Sequence, residues 1–266
     1  MTRMLSLLRQ VFVVLALPVV LLAVWWVTSA GSENFYLPPL SEILTTFGEV
    51  WFSGRIVSDV LPSLLRLAAG YTLAALVGVG LGIAVGSSKA LRETVEPVLE
   101  FGRAIPPPVL VPVLMLIAGH GNSMKILVIL SGCIWPILLN TVEGVRAVDE
   151  VLVDTGRTFR MRARSRLHHL VLPAASPQIF AGLRQALSLG IILMVISEMF
   201  AASSGLGFTI VQFQRGFAIP EMWSGIILLG IIGFGLSLLF RLVESRALRW
   251  YEGIRLAERG GSPSKT

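Results

Sequence analysis

The side chains of this 266-residue chain that could do chemistry gather in one segment, 146–173, which reads RAVDEVLVDTGRTFRMRARSRLHHLVLP. Six arginines (Arg146, Arg157, Arg160, Arg162, Arg164 and Arg166) and two histidines, His168 and His169, stand there against three acids, Asp149, Glu150 and Asp154. Bond-making groups elsewhere are sparse. His120, His168 and His169 form no metal-ligand spacing within a helix. The single cysteine, Cys133, lies in an apolar run, so no intrachain disulfide can form. No GxxxxGK[ST] run occurs, so the chain does not hold ATP phosphates in the usual loop. What remains for the basic segment is recognition, either of anionic lipid or of a groove in a partner protein.

The elements that must position it follow from periodicity. Val148, Val151, Leu152, Thr155 and Phe159 recur at helical spacing, and Asp149 and Glu150 precede them where a helix N-terminus favours acids. A short amphipathic helix is expected, with Ser165 capping a second one through Leu170 and Pro173 breaking it. The apolar face is narrow and the segment lies between two apolar runs. Both features favour a helix seated in a protein groove over one resting on lipid.

The rest of the chain is built for lipid: 54% of residues are hydrophobic and 14% charged, against roughly 25% charged in soluble domains. An all-α integral membrane protein follows, one domain of six transmembrane helices at about 11–28, 63–86, 104–118, 126–145, 177–200 and 223–240. The first run ends in Trp25 and Trp26, which suit a retained span better than a signal peptide. Residues 37–52 read as a short amphipathic helix at the interface, with Ser41 as its N-cap. Gly78, Gly82 and Gly86 bare one helix face for close approach of a neighbour. Residues 87–103 read as a charged connector. Pro106, Pro107, Pro108 and Pro112 cannot sit in an unbroken helix; they mark either a kink or a broken helix lining a pathway. Arg184 and Glu198 stand near the ends of the fifth span, close enough to snorkel. Residues 201–222 read as a loop with one surface helix.

Six spans put both termini and the basic segment on one side. That side collects seventeen of the 22 basic residues, leaving Arg55, Arg66, Lys125, Arg184 and Arg215 elsewhere. By the positive-inside rule the termini and the loop are cytoplasmic. The net charge of +6 therefore reads as helix orientation, with no nucleic acid implied.

At the basic loop the chain resembles the permease subunits of bacterial binding-protein-dependent ABC importers. Their signature runs Glu-Ala-Ala, three residues, Gly, nine residues, Ile, one residue, Leu-Pro. Asp154, Thr155 and Gly156 stand at its first three positions, Arg160 at the glycine, Leu170 at the isoleucine, and Leu172 and Pro173 at the Leu-Pro. The spacing is kept throughout. Arg160 is the departure, because that glycine makes the bend between two short helices. RAIPP at 103–107, WPILLNT at 135–141, GVRAVD at 144–149, SSGLG at 203–207 and LPPLSE at 37–42 look like the nitrate, sulfonate and taurine branch.

The resemblance implies a type I ABC importer (MetI-like) permease fold that translocates a small sulfonate-, taurine- or nitrate-like solute across the bacterial cytoplasmic membrane by alternating access. Its implied partners are a second permease copy, two cytoplasmic ATPase subunits that bind ATP and Mg, and an extracytoplasmic solute-binding protein. This chain itself binds no cofactor or metal and is no enzyme. Val151, Leu152, Asp154, Thr155, Gly156, Arg157, Phe159, Arg160, Leu172 and Pro173 are expected to couple to the ATPase. Pro106, Pro107, Pro108, Ser131, Asn140, Ser188 and Ser197 are candidates for the translocation path. Related permeases carry thiamine precursors, riboflavin or other small molecules, so the solute stays open. The reading from another class, an ATP-independent secondary transporter, needs ion-coupling acids within the spans, and only Glu198 qualifies.

Overall fold

A computed structural model describes residues 16–17, 19–201, 203–251 and 253, and every regular element among them is helical. In chain order these are α1 (Val19–Ser29), α2 (Leu40–Val50), α3 (Leu61–Ser87), α4 (Lys89–Ala104), α5 (Val111–Ala118), α6 (Asn122–Arg146), α7 (Glu150–Thr158), α8 (Ala163–Arg166), α9 (Leu172–Ala201), α10 (Leu206–Arg215) and α11 (Ile219–Ala247). Wide helical turns at Trp51–Val60 and Leu167–Val171 join α2 to α3 and α8 to α9.

The core is α6, packed along α3 on one flank and α9 on the other. Glycines set both contacts. A Cβ added at Gly70, Gly78, Gly82 or Gly86 of α3 would lie 2.8, 3.0, 2.5 or 2.8 Å from Ile129, Ile137, Thr141 or Val145 of α6, respectively. Each partner stands fifty-nine places further along the chain, an offset that stays constant only if α3 and α6 run parallel. The expected bare face at Gly78, Gly82 and Gly86 is therefore the α6 contact. On the other flank Gly144 meets Gln178 and Ala175, Gly182 meets Asn140, and Gly190 meets Cys133. Those pairings descend α9 as they climb α6, so the two helices are antiparallel. Leu67, Ala74, Val128, Ile129, Ile137, Ala186 and Leu193 fill the space between.

Among the described residues four helices are long and apolar enough to cross a membrane, or up to five if the bent pair Lys89–Ala104 and Pro107–Ala118 counts as one. The α1 helix is shorter, and the first part of the expected 11–28 span lies outside the described residues. The third crossing differs from the expectation. Residues 89–104 are no connector but a helix that climbs beside α6, with Gly102 against the ring of Trp135 from the middle of α6. The chain then bends by 82° through Pro106 into a short 3-10 turn at Pro107–Leu110 and on into α5. The prolines do break the helix, as their missing N–H groups require. Charge had hidden α4, whose Glu93 and Glu100 pair with Lys89 and Arg103 on its own surface.

One further expectation changes. The N-cap of α2 is Pro39 and not Ser41, and the N–H of Leu40 is taken by Ser29 Oγ at 3.1 Å, which ties α2 to the end of α1. One face of α2 packs on α11, and the helical run continues into a wholly buried Trp51 whose Nε1 donates to Ser224 Oγ at 3.0 Å. The α10 helix is a surface helix on one face only: Leu206, Gly207 and Thr209 in its first turns are buried, while Gln212, Gln214 and Arg215 are exposed.

The α3–α6 contact yields a test. Gly82→Leu must push a side chain through Thr141, and overpacking of this kind costs about 1–3 kcal/mol or more. Gly80, two residues away, has nothing within 4 Å of a built Cβ. Expressed in parallel, Gly82→Leu should lose the monodisperse folded species on detergent size exclusion, while Gly80→Leu keeps it.

Candidate coupling loop and translocation residues

The basic loop hangs between α6 and α9 at one end of the bundle. Asp149 is the N-cap of α7, its Oδ1 accepting the N–H of Val151 at 2.8 Å. Thr155 and Thr158 return their hydroxyls to the carbonyls of Val151 and Asp154. Asp154 and Arg157 form an exposed ion pair at 3.0 Å. Two apolar residues of this helix and its C-cap are bare: Val151 is 71% exposed, Leu152 47% and Phe159 78%. A chain that seals Trp51 and Leu206 completely leaves a phenylalanine at the tip of a polar loop uncovered.

The turn after α7 answers the question raised by Arg160. The N–H of Met161 donates to the carbonyl of Gly156 at 2.9 Å and that of Arg160 to Arg157 at 2.9 Å. Those two bonds define a Schellman motif, whose closing residue must be left-handed and is usually glycine. Arg160 adopts φ +50° there. The bend expected of the glycine is thus made by an arginine, at a cost of about 1 kcal/mol.

Gly156 is buried, and an added Cβ would find Leu170, Met161 and Arg166 at 3.5–3.6 Å, ordinary contact distance. The site accepts an alanine, the type the resembling signature carries. Gly156 and Leu170 therefore touch across the turn, which explains why their spacing is kept. Ser165 caps nothing, because α8 starts at Ala163 with Arg162 at its N-cap; its Oγ faces His169 Nδ1 instead. Pro173 does not break the helix either. It falls in the first turn of α9, directly after the wide turn at Leu167–Val171, where the enlarged loop of backbone accommodates its missing donor.

The other candidates are spread along the bundle. Pro106 is exposed, and Pro107 and Pro108 are half-buried in the 3-10 turn, with Pro107 beside Gly132. Ser131 and Ser197 donate to carbonyls three residues back on their own helices, and Ser197 is buried. Ser188 is exposed. Asn140 donates to Pro136 and accepts from Gln178 Nε2 at 3.0 Å, joining α6 to α9.

The sequence reading missed a polar cluster at the end opposite the loop. Glu198 does not snorkel; it is 0% exposed and pairs with Arg66 at 2.6 Å, itself 6% exposed. Ser63 Oγ and the N–H of Gly207 donate to the same carboxylate at 2.7 and 3.0 Å. Arg66 also reaches Asn122 and the carbonyl of Ser204. The SSGLG loop is thereby clamped to the first turns of α3 and α6. Arg184 likewise finds an acid, Glu244 of α11. Opposite charges at matching depth in separate spans were the available signal, since charges inside spans pair with one another.

Known proteins match this chain along most of its length. The family described as "binding-protein-dependent transport system inner membrane component" matches residues 74–249. A Bacillus subtilis protein named as an aliphatic sulfonates transport permease, SsuC, is 31% identical over 244 residues, covering 90% of this chain and 88% of that one. The taurine transport system permease protein TauC of Escherichia coli is 31% identical over 250 residues, covering 91% of each. A chain of the MetNI methionine ABC transporter, solved in inward-facing conformations, has the same fold, with a TM-score of 0.63, 19% identity, and coverage of 75% of this chain and 96% of that chain. This chain belongs to the binding-protein-dependent inner membrane components, the permease subunits of ABC importers.

Proposed function

We propose that this permease works as one of two copies, with two cytoplasmic ATPase subunits and an extracytoplasmic binding protein, importing a small organic sulfonate by alternating access. ATP and its Mg ion belong to the ATPase partners. The loop and both termini face the cytoplasm, as the distribution of basic residues supports. The observation that carries the reading is the uncovered apolar face of Val151, Leu152 and Phe159 on a capped, rigidly closed helix. Burying these side chains in a groove of an ATPase subunit would be favourable, since each removes apolar area from water. Asp154, Thr155 and Arg157 supply polar contacts at the rim. Gly156, Arg160, Leu172 and Pro173 fix the angle between α7 and α9. ATP-driven closure of the motor pair then moves α7 as a lever on α6 and α9. The sulfonate assignment draws on SsuC and TauC, the names of two relatives covered nearly end to end.

Two variants test the coupling loop. Phe159→Glu should leave the permease in the membrane at its normal level while the amount of ATPase that co-purifies falls about tenfold, a loss of roughly 1.4 kcal/mol. Unchanged co-purification overturns the docking reading. Arg160→Gly should retain the ATPase, because glycine accepts a left-handed φ without strain. Arg160→Val should lose it, because a β-branched residue is an outlier there, although no residue of the apolar face has been touched.

A further inference from the structure

A cavity of about 350 Å³ opens at the end of the bundle away from the coupling loop. Its wall joins the turn ahead of α6, the end of α9, the SSGLG loop and the outer face of α10. His120, Ser203, Gln212 and Arg215 line it together with apolar surface from Phe200 and Phe208. No carboxylate is among the lining residues.

Arg215 and the buried Lys125 differ from the other cations near the spans. Arg55, Arg66 and Arg184 each pair with an acid, whereas Arg215 has no ion pair among the described residues. The nearest acid in sequence on α9, Glu198, is turned the other way and held by Arg66, Ser63 and Gly207. A basic residue in the last turn of α10 offsets the terminal carbonyls of that helix. That accounts for Arg215 alone. It does not account for the convergence of His120, Ser203 and Gln212 on the same space, none of whose side chains has a hydrogen-bond partner among the described residues.

We infer that this cavity is a receiving site for a small organic anion, the sulfonate class, at the outer mouth of the permease. The inference rests on the importer reading and names where its solute first touches this chain. The guanidinium is always charged and presents a planar fork of donors to an oxyanion. Gln212 and Ser203 add uncharged donors. Phe200 and Phe208 give the carbon end of the solute an apolar wall. The volume stands at the small end of ligand sites, as a solute of few heavy atoms requires. Its position suits delivery, because the same SSGLG loop that contributes Ser203 is clamped by the Arg66–Glu198 cluster and so keeps the mouth in shape.

The test uses the permease–ATPase complex in phosphatidylcholine nanodiscs, carrying Ser203→Cys and labelled with a maleimide; Cys133 is buried and stays unreactive. Ethanesulfonate at about ten times its Kd should slow labelling roughly tenfold, and the uncharged dimethyl sulfone should not. Adding Arg215→Gln should remove the protection. The proposal is overturned if ethanesulfonate gives no protection, if dimethyl sulfone or sulfate protects as well, or if protection survives Arg215→Gln. Protection by phosphatidylglycerol in the disc, with no solute added, would assign the cavity to a lipid headgroup and also overturn it. Gln212→Cys gives the same readout should Ser203→Cys fail to assemble. Labelling needs neither ATP turnover nor the binding protein. A failure here with the ATPase still bound is thus distinct from a failure of the docking reading.

Discussion

The close approach of α6 to α3 and α9 is the contact on which the other features depend. Lipid gives helices no hydrophobic reason to associate, so proximity must come from small residues that let backbones meet. Here the glycines of α3 and the alternating glycines of α6 and α9 supply it on two flanks of one helix. Because α3 and α6 run parallel, the crossing between them must return through α4 and α5, and the sharp bend at Pro106 fits that return against Gly132. The basic loop and the polar cluster are then fixed at opposite ends of the same pair, α6 and α9.

That geometry links the ends mechanically. From Ala163 the helical run continues through the wide turn at Leu167–Val171 and along α9 to Phe200. Its 38 residues at about 1.5 Å each give a strut of roughly 57 Å. One end carries Leu170, packed on Gly156 of α7; the other carries Glu198, packed on Arg66 of α3. A tilt imposed at the loop therefore reaches the SSGLG loop without passing through any flexible segment. The buried ion pair makes that far end discrete, since a desolvated charge that loses its partner is costly and the loop stays seated or leaves as a unit.

Much of this was legible in the sequence, for a physical reason that also sets the limit. Apolar runs, the bare glycine face and the proline break are local features, and a local feature shows in a local pattern. The helix from 150 announced itself by its acids first and apolar residues at helical spacing. What did not show were pairings across the bundle. Glu198 looked peripheral because its partner, Arg66, lies 132 residues away. Ser41 looked like a cap because nothing in the sequence says that Ser29, eleven residues before Leu40, accepts the Leu40 N–H. The connector reading of α4 failed because charges that pair along their own helix resemble charges that face water.

Arg160 shows how far a motif can drift while its geometry stands. The Schellman turn is held by two backbone bonds and by the Gly156–Leu170 contact, none of which involves the Arg160 side chain. Glycine is the residue of least strain at that corner, not the residue that makes it. The surrounding bonds over-determine the corner and hold about 1 kcal/mol of backbone strain in place. An exposed arginine also adds charge beside the uncovered Phe159, where an electrostatic preference for one partner surface can be written without altering the turn. The information that defines this loop is therefore the spacing between its packed positions, and the corner requires only a residue that tolerates a left-handed φ.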